Sequence, residues 1–476
     1  MNKIKHLSVD ERRDRGKSAR KKTPPSAHSG WAAAKHRPDP VALLSEQNAT
    51  REQDLVPVRH GRMMVSPFTF YRGAARIMAA DLKDTPTAGL DVQLCGDAHL
   101  SNFGMFASPE RDLVFDLNDF DETLPGPFEY DVKRMSASFT IAARNNGFTK
   151  AQGRAATVES ARAYREAMAK FADMGTMEIW YAKVSEQDFR KAVDAATANL
   201  KGADKKAATT AQKNARKNAQ KARTRDSMQA LSKLAEHVDG RYRIVSQPPV
   251  VVPLRDLPKI HAGYSVSELE QMVHDQFRAY RETLQEDRRE LLERFEIVDM
   301  ARKVVGVGSV GTRAFIVLLQ GRDDQDPLFL QVKEATASVL EDHLPKSRYE
   351  LPGERVVQGQ RKMQAASDIF LGWTKGVEAD RHMYWRQLRD MKGSAVVEAM
   401  APGTLTFYAR ACGETLARAH ARSGDPVAIA AYLGAKDRFE ESIADFSERY
   451  AKQNEQDYQA FCDAVSSGRL AAVEGV

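Results

Sequence analysis

The sequence predicts an α+β protein of two lobes, on three observations. Strand-rich and helix-rich stretches segregate along the 476 residues instead of alternating as they would around a parallel sheet. A glycine-rich loop at 306–311 lies between two apolar, strand-like runs. Hydrophobic residues make up 42% of the chain, enough for a sizeable core. No apolar run approaches the roughly 18–20 residues that span a bilayer. With 71 Lys+Arg against 65 Asp+Glu, the charge of +6 permits an anionic ligand without demanding one.

Residues 1–45 are rich in Lys, Arg, Ser and Pro and poor in large apolar residues, which predicts a solvated tail. The first residues lack the apolar stretch of a secretory leader, and Cys95, Cys412 and Cys462 have no metal-ligand spacing. A protein of a reducing cytoplasm is the expectation. Helical spacing marks 66–84, 130–147, 155–175, 267–295, 353–371 and 403–421. Apolar VQLC (92–95) reads as a strand, and FGMFAS with LVFDLNDF around PERD (109–112) as a hairpin. The block 201–225 carries nine Lys/Arg and one Asp without an apolar stripe, which predicts an exposed or frayed helical arm. No aromatic residue interleaves it, so nucleic-acid binding is the weaker reading. The predicted organisation is a large-lobe part at 46–245, a connector and small lobe at 246–400, and helices at 401–476 that return to the large lobe.

Gly306, Gly308 and Gly311 form GxGxxG, with Ser309 inside it. A dinucleotide fingerprint leads from strand into helix, because the helix N-terminus receives the pyrophosphate. Here AFIVLL follows, then the turn GRDDQDP (321–327), then LFLQVK (328–333). Strand, loop, strand, turn, strand resembles the small lobe of protein kinases, in which a Gly hairpin covers ATP phosphates and a lysine of the third strand contacts them. Lys333 stands at that lysine's place. Glu341 and Glu354 are both open as its acidic partner.

CGDAHLSNFG (95–104) sets Asp97 and Asn102 five positions apart. This is the spacing of the kinase catalytic loop, and GDAHLSN is similar to the aminoglycoside and choline phosphotransferases. The resemblance implies that Asp97 accepts the hydroxyl proton and that Asn102 binds Mg²⁺. His99 is expected to brace the loop through a backbone hydrogen bond, with contact to the transferred group as the alternative. Seventeen residues beyond Asn102, Asn118-Asp119-Phe120-Asp121 resembles the metal-binding Asp-Phe-Gly segment. Asp131, twelve residues past Asp119, is similar to a helix aspartate that buttresses the catalytic loop, and this spacing favours Asp119 over Asp116 as metal ligand. Strand alternation sends 116 and 119 to opposite faces. Asp121 is the candidate second ligand.

In kinases the Gly loop precedes the catalytic loop; here it follows by some two hundred positions. The sequence therefore predicts a circularly permuted kinase-like fold, with TLTFYARACGETLARAHARSGD (404–425) as the helix that would enter the catalytic loop. SPFTFYRGAA, CGDAHLSNFG, FDLNDFDET, ARKVVGVGSVGTR, QVKEA, QAASDIFLGW and LARAHARSGD together resemble the bacterial family catalogued as domain of unknown function 2252, over roughly residues 50–465. That family is grouped with kinase-like folds. The expected activity is ATP- and Mg²⁺-dependent phosphoryl transfer to a hydroxyl of a small molecule or a protein. AMP transfer by the same site, or nucleotide binding without catalysis, are the alternatives. The sequence names neither acceptor nor oligomeric state.

Overall fold

The computed structural model describes residues 6–188, 219–259, 265–378, 380–388 and 390–475, with positions 191, 213 and 217. It is a mixed α+β fold in which helices surround several antiparallel sheets. The largest sheet has six strands in the order Gly372–Lys375, His382–Gln387, Pro327–Glu334, Ala314–Gln320, Glu296–Lys303 and Val251–Pro253. Its centre is the predicted strand–loop–strand–turn–strand run. The glycine loop joins Glu296–Lys303 to Ala314–Gln320, whose Ala314 stands opposite Lys333. β-Branched and aromatic residues fill these strands. One face packs on the Val266–Arg281 helix, where Tyr280 stacks on Trp385 with centroids 4.6 Å apart.

The second assembly is mainly helical. Phe128–Asn145, Lys150–Ala172, Pro402–Ala421 and Arg438–Ser466 pack side by side. Small and hydroxyl side chains allow the approach: Thr140 and Thr157 bond at 2.7 Å, and Ser136 and Ser160 at 2.8 Å. On this bundle sit the predicted hairpin, Phe103–Ala107 with Leu113–Leu117, and the strand Asp91–Leu94, which pairs with Leu124–Pro127. The Pro352–Met363 helix links the assemblies. Its Val356, Val357 and Met363 belong to the same buried cluster as Leu94, Phe120 and Leu416.

The helix Pro402–Ala421 packs against the hairpin. Tyr408 donates to the carbonyls of Leu100 (2.9 Å) and Phe103 (3.1 Å). At its far end the Ser423 hydroxyl accepts from Gln93 N–H at 3.0 Å, beside the strand that leads into residues 95–104.

Three expectations are revised. Residues 8–45 are not a solvated tail. Ser8 caps the helix Val9–Lys22 in a reciprocal box with Glu11. Arg20 then donates to the Tyr432 carbonyl (2.7 Å), His28 is buried, and Arg37 bridges Asp81 and Asp457 at 2.6 Å each. Polar anchors to Asp81, Tyr432 and Asp457 act together with the buried Val41 and Leu44 and with Trp31 against Tyr450 to hold a segment of mostly polar composition. The 66–84 stretch is two helices, Pro67–Gly73 and Ala75–Leu82, and 267–295 is Val266–Arg281 with Glu286–Leu292. Most of the basic block 201–225 lies outside the described residues; at its end Ala219 and Ala222 pack on Leu113. Among the described residues no helix is long and apolar enough to cross a membrane.

Candidate functional site

Asp97 follows the strand Asp91–Leu94 through a turn that Gly96 makes possible. Gly96 has φ +86°, and a Cβ there would come within 2.1 Å of the Glu122 carbonyl oxygen. Asp131, in the first turn of the Phe128–Asn145 helix, holds this turn from beneath. Its carboxylate accepts from Cys95 N–H (2.6 Å) and Gly96 N–H (2.9 Å) and lies 3.2 Å from His420 Nε2. His420 in turn meets the Tyr164 hydroxyl at 2.9 Å. One helical turn on, Arg134 stacks 3.8 Å from the Tyr71 ring centroid and bonds Asp97 Oδ1 at 2.7 Å. Oδ2 of Asp97 faces His99 Nε2 at 3.7 Å, outside hydrogen-bond range. Burial raises the Asp97 pKa, against the lowering effect of Arg134.

His99 serves the loop through its backbone. Its N–H donates to the Asp97 carbonyl (2.8 Å) and its carbonyl accepts from Asn102 N–H (2.8 Å). Its ring is buried and kept neutral by burial and by the nearby Arg134 and Arg72. The Asn102 amide donates to the Asp97 carbonyl at 2.5 Å, which leaves its side-chain oxygen for another partner. The Asn102 carbonyl accepts from Asn118 N–H (2.8 Å), and Cys95 Sγ lies 3.1 Å from the Asp119 carbonyl. The 95–104 segment and the Asp119 segment are thus one folded unit.

The acids are separated: Asp116 lies on the strand Leu113–Leu117, and Asp119 follows two residues beyond the strand's end, where strand alternation no longer applies. Asp116 is 1% exposed and paired with Arg418 at 2.5 Å, while Ala365 N–H donates to its other oxygen. Asp119 and Asp121 stay open to the cleft, 34% and 29% exposed. Asp121 Oδ2 accepts from Lys333 Nζ at 2.6 Å and from the Ser309 hydroxyl at 3.4 Å, and Oδ1 from the Tyr384 hydroxyl at 2.6 Å. Lys333 and Tyr384 are cross-strand neighbours, which is why both reach one carboxylate. Asp119 Oδ1 lies 4.0 Å from Lys333 Nζ. Burial and the charge of Asp121 raise the Asp119 pKa; burial would raise Asp121 too, but Lys333 holds it low. Burial alone would depress Lys333, yet Asp119 and Asp121 keep it above its ordinary value.

The structure therefore brings Asp97, Asn102, Asp119, Asp121, Ser309 and Lys333 to one cleft. Neither glutamate considered as the lysine's partner fills that role. Glu341 accepts from Ser338 N–H and lies 3.8 Å from Arg355, and Lys333's ion pairs are to Asp119 and Asp121. In the loop itself Gly306 and Gly311 adopt φ of +66° and +86°. Gly308 faces the Arg72 carbonyl, which would stand 3.1 Å from a Cβ there.

Several arginines of this cleft were not legible in advance. Arg51 donates to the Val310 carbonyl and Arg62 to the Gly306 carbonyl, both at 2.6 Å, so the 51–62 segment grips the loop. Arg355 donates to the carbonyls of Thr123, Asp121 and Thr336 at 2.6–2.8 Å, and Arg386 to that of Asn118 at 3.0 Å. Arg134 alone had a signal, its place one turn beyond Asp131.

Among the described residues no cluster of three or more His, Cys, Asp or Glu side chains could hold a metal ion. A Mg²⁺ that arrives on phosphate needs only one or two protein oxygens. Asp119 and the free Asn102 side-chain oxygen fit that need. Asp121, expected as a second ligand, has both oxygens engaged by Lys333, Ser309 and Tyr384.

A family model described as an uncharacterized protein conserved in bacteria, DUF2252, matches residues 51–464. The chain belongs to that family. The match contains the whole cleft and leaves out the capped helix Val9–Lys22 and the bridging Arg37. No curated protein and no solved structure matches the chain.

Proposed function

We propose that this protein is a kinase-like phosphotransferase, circularly permuted, that moves the γ-phosphoryl group of ATP to a hydroxyl of a small molecule or a protein. One observation carries the reading: Lys333 and Ser309 reach Asp121 across 212 and 188 residues of chain, so glycine loop, lysine and acidic loop face a common space. The permutation draws support from Ser423 beside Gln93, because the helix that would enter the catalytic loop ends where that loop's strand begins.

Asp97 is the base of this reading. Arg134 fixes one oxygen, and the other is left to take the acceptor's proton; its raised pKa moves it toward the operating pH. Asp119 and Asn102 would hold Mg²⁺, which would offset the negative charge of the phosphates. Lys333 supplies a point charge that can turn from Asp121 to phosphate, and the glycine loop supplies backbone N–H groups without side-chain obstruction.

Calorimetry with Mg-ATP and product analysis with ATP labelled at the α or γ position test this. Asp97→Asn should abolish turnover and keep Mg-ATP binding; Asp119→Ala should lose metal-dependent binding. Wild-type ATP consumption by both variants overturns the assignment of roles, and label transferred from the α position makes the enzyme an AMP transferase.

A further inference from the structure

Arg72 ends the helix Pro67–Gly73 at the meeting of the two halves of the cleft. Its backbone abuts Gly308 at the tip of the glycine loop. Its side chain is in electrostatic contact with Asp97 and Glu398, and it helps to hold His99 neutral. The guanidinium carbon lies 6.0 Å from the Phe68 ring centroid. The other arginines around the cleft are engaged: Arg134 by Asp97 and the Tyr71 carbonyl, Arg355 by three carbonyls, Arg386 by Asn118, Arg51 by Val310. Arg72 is different. Its Nε is buried, and among the described residues its side chain makes no hydrogen bond and no ion pair. Arg51 and Arg355, whose Nε atoms are likewise buried and unpartnered, bond through their other nitrogens.

A partly buried cation with no hydrogen bond or ion pair has lost water and gained only the longer-range attraction of Asp97 and Glu398 in return, which costs stability. Such a group is retained where a ligand brings the missing charge. The space bounded by the glycine loop on one side and Asp97 on the other is where a phosphoryl group passes from nucleotide to acceptor.

Resting on the phosphotransferase reading above, we infer that Arg72 is a catalytic residue that contacts the phosphoryl group in transit. In that step the acceptor oxygen forms a bond to the γ-phosphorus as the bond from phosphorus to the β,γ-bridging oxygen breaks. The electron pair leaves on ADP, and the hydroxyl proton passes to Asp97. Charge spreads over three equatorial oxygens, and the planar guanidinium fork meets two of them at once, which a lysine cannot do. Arg72 thereby does in cis what an arginine supplied by a partner does elsewhere.

The test uses the full chain and calorimetric titration with Mg-ADP, with and without fluoroaluminate, a mimic of the transferring group. Wild type should bind Mg-ADP far more tightly with fluoroaluminate. Arg72→Met should keep Mg-ADP affinity within about twofold and lose the fluoroaluminate gain by about a thousandfold, the scale of such arginines. Its melting temperature should be equal or higher, since an apolar chain replaces an unpaired cation; a structural arginine would lower it. Arg72→Lys should restore only part of the gain, and Arg72→Gln serves if the Met variant does not fold. A full gain in Arg72→Met overturns the inference, as does a wild type that binds Mg-ADP yet gains nothing from fluoroaluminate. A wild type that binds neither Mg-ATP nor Mg-ADP overturns the phosphotransferase reading itself.

Discussion

The ion pair between Lys333 and Asp121 joins two parts of the chain that share no local sequence signal, and a double-mutant cycle measures that junction. Lys333 is 2% exposed and Asp121 29%, at 2.6 Å. Removing one partner of a fully buried pair costs about 3–5 kcal/mol, whereas exposed pairs contribute about 0–1. One buried and one partly wet partner put each single variant, Lys333→Met and Asp121→Asn, at about 2–3 kcal/mol of lost stability. Tyr384 still donates to Asp121 in the lysine variant, and Asp119 at 4.0 Å still attracts the lysine in the aspartate variant. Both effects hold the singles below the fully buried figure. The double variant leaves no orphaned charge in the pair, so it should lose much less than the sum, with a coupling of about 2 kcal/mol. Urea unfolding at pH 7.5 without nucleotide, followed by fluorescence and circular dichroism together, reads the four corners of the cycle. Additivity within about 0.5 kcal/mol would refute the claim that these residues meet in solution.

Two further outcomes are expected. Asp116→Asn should lower stability by about 3 kcal/mol, because Arg418 is left buried without its counter-charge, yet leave Mg-ATP affinity unchanged by calorimetry; lost affinity at unchanged stability would reverse the roles given to Asp116 and Asp119. Glu129 is wholly buried, and burial pushes its pKa up to about 7. The folded state then keeps a proton that the unfolded chain gives up near its ordinary value, so Glu129's contribution to stability should fall as pH rises from about 4.5 to 7 and level off above. Glu129→Gln, which retains the oxygen that accepts from Ala88 N–H, should flatten that slope in melting temperatures; an unaltered slope removes Glu129 as its source.

What the sequence made legible was set by short-range chemistry. Alternation and turn residues exposed the Phe103–Leu117 hairpin and the strands about the glycine loop, and the interval from Asp119 to Asp131 exposed the brace under Cys95 and Gly96. Alternation predicts that Asp116 and Asp119 part; they do, but because the strand ends at Leu117 and Asp119 lies beyond it. The misses share one cause. Val9–Lys22 is held by contacts 412 residues distant, and Arg51, Arg72 and Arg355 become site residues only through tertiary neighbours. No period or propensity reports such pairs. Chain proximity offers Glu341 or Glu354 as the lysine's partner, whereas its acid comes from 212 residues earlier in the chain.

The long reach of these bonds has a bearing on biosynthesis. Asp116, Asp121 and Asp131 leave the ribosome well ahead of Arg418, Lys333 and His420, by 302, 212 and 289 residues. At about 5–20 residues per second, roughly 10 s to a minute passes before each acid meets its partner. Until then Asp116, which is buried in the folded protein, waits without the counter-charge of Arg418, so the first half of the chain completes its buried polar network only after the second half has emerged.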